Sequence, residues 1–127
     1  MKKATVLLAH GSSDPHWLEP FDQLTHSIAQ QLPAGTPLQL AYMELAEPML
    51  EDAVIDLVKS GHQHIDILPL FFAAGRHLRK DVPEMLDAVK HKLQQQGFSC
   101  ELDLHTPIGL EPEVASAISQ VVIRQLS

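Results

Sequence analysis

Cysteine is nearly absent from this sequence. One thiol, Cys100, stands in 127 residues, which excludes an internal disulfide framework and any paired-cysteine metal knuckle. Positive charge is scarce as well. Nine Lys and Arg against 16 Asp and Glu leave a formal charge of −7, the wrong sign for a general nucleic-acid binder, which needs an excess of cations. The longest apolar run, Ile67–Ala74, falls far short of the roughly 20 residues of a membrane-crossing helix. The apolar stretch behind the N-terminal MKK ends at His10 with no small-residue cleavage site after it, so no signal peptide is expected. The glycine-rich dinucleotide and P-loop patterns are both missing, so no nucleotide is expected, and no GxSxG turn offers a serine nucleophile. A single Trp and a single Tyr leave little to stack on a flavin. What remains is one cytoplasmic domain, 1–127, without nucleic acid or membrane as a partner.

The chain does have rhythm. ATVLLA (4–9) is an apolar, β-branched run that reads as a buried strand. Asp14-Pro15 then opens a helix with a cap and a first-turn proline, and Trp17, Phe21, Leu24, Ile28 and Leu32 give it an apolar face. Core packing is the ordinary expectation for Trp17. PLQLAYM (37–43) reads as the second strand, and a helix follows from Pro48 to the Gly61 stop. HIDILPL (64–70) reads as the third strand. Val82 precedes a proline and is biased away from helical angles, so the third helix is expected to begin near 81–83, leaving His77 on a loop. SCELDLH (99–105) reads as the fourth strand, and Pro112 opens a last helix with Val114, Ile118, Val121 and Val122 on one stripe. Strict strand–helix alternation predicts an α/β fold with a four-stranded parallel sheet, doubly wound in the flavodoxin-like manner. The expected strand order is 2-1-3-4, with a topological switch between strands one and three, where such sheets bind ligands.

Two histidines fall on the lips of that switch. His10 follows strand one, and His77 follows strand three. Eight histidines are the one compositional hint of chemistry, since imidazole is the commonest metal ligand. Taken alone, His10 is equally compatible with an ordinary loop position. Its neighbours Gly11, Ser12 and Ser13 form a tight turn with small hydroxyls before a helix N-terminus, a natural seat for a carboxylate. Around His77 lies the densest positive charge in the chain, Arg76, Arg79 and Lys80, suited to meeting ligand carboxylates. Glu44 follows strand two at the same edge and reads as a proton acceptor, a further metal ligand or a plain surface glutamate. His62 and His64 have ligand-like spacing but sit at the amino end of strand three, the wrong edge, and read as structural or solvated. His105 ends strand four one strand away from the switch.

LLAHGSSD (7–14) and LPLFFAAGRHLRKDVPEML (68–86), with AYMELAEPML (41–50) and TPIGLEPEV (106–114), resemble the small form of the CbiX family, the class II sirohydrochlorin chelatases. The resemblance runs along essentially the whole chain. It implies insertion of a divalent metal substrate, Co²⁺ ahead of Fe²⁺ or Ni²⁺, into sirohydrochlorin without ATP. It carries the metal-handling histidines onto His10 and His77, and the acidic residue after the second strand onto Glu44. It also implies a homodimer, because longer members place the site between two such domains in one chain. On that reading Ser12, Ser13, Arg76, Arg79 and Lys80 meet the substrate, and His10, His77 and Glu44 are available as bases for its pyrrole protons. The competing expectation is a protein that binds a divalent metal through the same histidines without catalysis.

Overall fold

A computed structural model describes residues 2–127. Four parallel strands, β1 (Lys3–Ala9), β2 (Leu38–Tyr42), β3 (His64–Pro69) and β4 (Glu101–Leu104), lie in the order β2-β1-β3-β4. The expected topology and its switch between β1 and β3 are both present. Four α-helices follow the strands in turn: α1 (Pro15–Gln31), α2 (Leu50–Lys59), α3 (Val82–Gln95) and α4 (Pro112–Leu126).

Alternation within each strand sends side chains to opposite sheet faces, and the two faces differ. On one face Val6, Leu8, Ile65 and Ile67 pack with Leu50, Ala53, Val54 and Val58 of α2 and with Val82, Leu86, Val89 and Leu93 of α3. On the other, Leu7, Ala9, Leu40 and Tyr42 pack with Leu18, Phe21 and Ile28 of α1. Leu68 of β3 and Leu70 just after it also pack against this cluster. Over β3 and β4 the same face carries the polar residues His64, Asp66 and Asp103, in register through the pairing of Asp66 with Asp103.

Three expectations need correction. α3 begins at Val82, as expected, but His77 is not on a loop. Val82 adopts helical angles, φ −67° and ψ −47°, and residues His77–Asp81 form a π-turn leading straight into α3. The Val82 N–H reaches back five residues to the His77 carbonyl, and this wider turn admits the helical Val82 that a proline ordinarily disfavours. His77 therefore opens a helical segment. Trp17 is 68 % exposed and lies outside the core. α2 starts at Leu50, not at Pro48, because the Pro48 carbonyl accepts the Tyr42 N–H at 2.9 Å and holds residues 48 and 49 against the end of β2. Finally, α4 packs chiefly on the 3₁₀ turn before it, Ile108–Leu110, and has no buried residue.

Candidate functional site

The carboxyl ends of β1 and β3 deliver His10 and Phe71 side by side. Their rings stack with centroids 4.1 Å apart and an interplanar angle of 23°. Phe71 is buried, so the stack fixes the otherwise exposed His10 imidazole against a rigid wall. Behind His10 the chain turns at Gly11, whose φ is +94°. The carbonyl of His10 accepts the Glu44 N–H at 3.1 Å, which ties the β1 exit to the β2 exit.

His77 arrives from the other side. Its Nδ1 lies 2.8 Å from Oδ2 of Asp81, one turn on. A carboxylate at that nitrogen accepts the Nδ1–H and leaves the Nε2 lone pair free, the arrangement that orients histidine for a metal. His77 is 81 % exposed as a side chain, so Nε2 is open to a ligand.

Three neighbouring clefts meet over this edge. One of about 310 Å³ is lined by His10, Phe71, Arg76 and His77, with Met43 and Leu78 beneath. A second, about 230 Å³, continues past His10 to Ser12, Trp17, Leu18 and Phe21. The third, about 370 Å³, continues past His77 to Asp81, Tyr42, Met43 and Met85. The two histidines are the junctions of this arc. His10, His77 and Arg76 thus share one wall, and Ser12 joins it beside His10. Ser13, Glu44, Arg79 and Lys80 are exposed and lie outside the walls of these clefts. The Ser12 hydroxyl already accepts the Asp14 N–H at 3.0 Å.

Sequence reasoning did not find Asp81 or Phe71. Asp81 was legible as a carboxylate four residues after His77, but only to a reader who already had a helix there. Trp17, read as core, instead forms an exposed wall of the cleft beside His10. A further cluster lies on the α1-side sheet face. Asp66 Oδ1 is 2.8 Å from His105 Nε2 and 3.3 Å from His64 Nε2, and His64 Nε2 is 2.9 Å from Asp103 Oδ2. The His105 hydrogen bond, and after it His64, hold Asp66 below the usual carboxylate range despite partial burial. His62 is not part of this group; its Nδ1 lies 3.0 Å from the Leu57 carbonyl.

The family model described as CbiX matches residues 4–125. The chain belongs to the CbiX family. A sirohydrochlorin cobaltochelatase of Sulfolobus acidocaldarius is 28 % identical over 123 residues, covering 96 % of this chain and 91 % of that protein. One from Saccharolobus solfataricus is 25 % identical over 115 residues, covering 89 % and 88 %. Among solved structures, a CbiX protein from Marinobacter aquaeolei superposes with a TM-score of 0.83 at 37 % identity, covering 99 % of this chain and 96 % of that one. The sirohydrochlorin chelatase SirB from Bacillus subtilis subspecies spizizenii, in complex with cobalt, gives 0.80 at 25 % identity. That match covers 94 % of this chain but 49 % of SirB.

Proposed function

We propose that this chain inserts a divalent metal ion, Co²⁺ ahead of Fe²⁺ or Ni²⁺, into sirohydrochlorin without nucleotide, acting as a homodimer. The observation that carries the proposal is the pair His10 and His77 in one cleft at the sheet switch point, with Arg76 on the same wall. The relatives' cobaltochelatase activity and the cobalt bound to SirB support it. Two imidazoles form an incomplete, borderline-soft site that suits these ions, and an incomplete shell lets the ion pass on to the macrocycle. As the ion enters, the two pyrrole N–H bonds of sirohydrochlorin break, their electron pairs become metal–nitrogen bonds, and two protons leave. His10 and His77 take up protons as they release the ion, and the exposed Glu44 carboxylate, tethered through its backbone to His10, passes them to solvent. Arg76, with Arg79 and Lys80 at the rim and Ser12 and Ser13 on the opposite lip, meets the substrate carboxylates. For the homodimer, support comes from the bare apolar stripe of α4 and from SirB, whose chain is about twice as long as the part this fold matches.

The test is an anaerobic absorbance assay with sirohydrochlorin and Co²⁺, Fe²⁺ or Ni²⁺ in turn. Insertion well above the rate in buffer is expected, with most of it lost in His10→Ala and in His77→Ala while circular dichroism stays unchanged. Metal binding without acceleration would leave a non-catalytic metal binder. Wild-type turnover in both variants would overturn the site.

A further inference from the structure

The sequence His64-Ile65-Asp66 on β3 is mirrored by Asp103-Leu104-His105 leaving β4. Parallel pairing sets Asp66 opposite Asp103, and alternation sends all four polar side chains to the same sheet face. The helix on that side, α1, packs on the cluster of Leu7, Ala9, Leu40 and Tyr42, which Leu68 of β3 also joins, whereas none of the four polar residues belongs to it. A sheet face of this kind ordinarily carries apolar residues for a covering helix. Instead it carries two imidazoles and two carboxylates, and the apolar neighbours Leu102 and Leu104 point to the opposite side.

From this juxtaposition we infer that His64, Asp66 and Asp103 form a second divalent-metal site, separate from the His10–His77 cleft, with His105 orienting the Asp66 carboxylate. One ligand atom each from His64, Asp66 and Asp103 lies within 4.8 Å of the others, and His105 Nε2 closes on the same Asp66 oxygen. Ligand atoms around a tetrahedral ion at about 2.0–2.1 Å stand about 3.3 Å apart. The observed His64–Asp103 and His64–Asp66 separations of 2.9 and 3.3 Å already lie within about half an ångström of that value. Hydrogen bonding alone serves the cluster poorly, because the single His64 Nε2 faces two carboxylates and a neutral ring has one proton at most to give there. A cation satisfies both carboxylates at once. The imidazole selects Zn²⁺, Co²⁺ or Ni²⁺ over the oxygen-preferring Mg²⁺ and Ca²⁺. All three ligands rise from hydrogen-bonded strands, so little ordering remains for binding to impose. Asp66 lies three residues before the end of β3, and its side chain lies on the sheet face opposite Leu78 and Phe71, which border the cleft. The two sites therefore do not share ligands.

The test uses metal-free His10→Ala/His77→Ala protein titrated with Co²⁺, followed by visible d–d absorption and equilibrium dialysis, with Zn²⁺ as competitor. About one equivalent of Co²⁺ should bind per chain, displaced by Zn²⁺, because three protein ligands leave one position for water to complete a tetrahedral shell. Adding Asp66→Asn and Asp103→Asn should abolish it, with the fold checked by circular dichroism. His105→Gln, which changes a residue beyond the strand end, should weaken Co²⁺ by about tenfold or more, which keeps the test open if the double Asn variant fails to fold. The otherwise native chain carrying Asp66→Asn/Asp103→Asn should keep its metal-insertion activity. Absence of binding to the His10→Ala/His77→Ala protein overturns the proposal. So does binding that survives both Asp66→Asn/Asp103→Asn and His105→Gln.

Discussion

Gly11 joins two of the candidate site residues at a point with no room for a side chain. A Cβ there would overlap the Glu44 carbonyl oxygen and crowd Cβ of Tyr42. Gly11→Ala is expected to cost about 1–3 kcal/mol from the positive φ alone, and the overlap must in addition push the β2 exit away from His10. Urea denaturation should register the loss of stability, and turnover should fall further than stability explains, since His10 moves with the joint. Asp81 acts at one remove, through His77. Asp81→Ala frees the imidazole to place its proton on Nε2, and Co²⁺ affinity at the cleft should fall by about 10–100-fold. KM for sirohydrochlorin should stay near wild type. Asp81→Asn retains an acceptor oxygen and should recover part of the affinity. Full affinity in Asp81→Ala would reduce the 2.8 Å contact to a surface pairing. At this scale the sequence singled out His10 and His77 as candidates that share one cleft, because each follows an apolar run at a place that the topology marks. It concealed the His64–Asp66–Asp103–His105 group, because that group exists only once the β3–β4 register is known.

Strands and helices were the most legible level. Apolar runs of strand length alternating with helical stripes admit few arrangements, and the parallel order followed from the right-handed crossover rule. Failures came where a local rule met a longer-range contact. The pre-proline bias at Val82 yields to the π-turn, held by the Val82 N–H to His77 bond and by burial of Leu78 and Val82. Proline at 48 does not open α2, because its carbonyl is already engaged by Tyr42. Cys100, just before β4, offers a test of how tightly β4 and α3 close. It is 4 % exposed, and burial pushes its thiol up from the ordinary value. A raised thiol pKa leaves stability intact below the unfolded value, about 8.5, and erodes it as pH climbs toward the folded one. Wild type should therefore lose stability relative to Cys100→Ala between pH 7 and pH 9.5, as read by denaturant midpoints. A constant difference would mean that the thiol ionises freely in the folded protein.

For the molecule as a whole, α4 is the element that the fold leaves unpartnered. Ile118, Val121, Val122 and Ile123 are 40–64 % exposed, and Leu126 is 82 % exposed. A helix of 15 residues is marginal by itself in water, near the limit of about 12–15 residues for isolated helices. Its stability must come from packing. Each Val or Ile fully buried contributes about 1.5–3 kcal/mol, and a second copy offers an identical stripe, so two chains can cover each other by a two-fold contact. Sedimentation equilibrium at micromolar concentration should therefore find a dimer. Ile118→Asp/Val122→Asp forces two carboxylates into that seam and should shift the protein to monomer. The monomer should also lose helical signal in the far ultraviolet, limited to about what one such helix contributes, because the sheet and α1–α3 do not depend on α4. If the second copy completes the site, specific activity should fall on dilution of wild type and be low in the variant at every concentration. A wild type that is monomeric, fully helical and active would mean that α4 is stabilised within its own chain, and the dimer would have no basis.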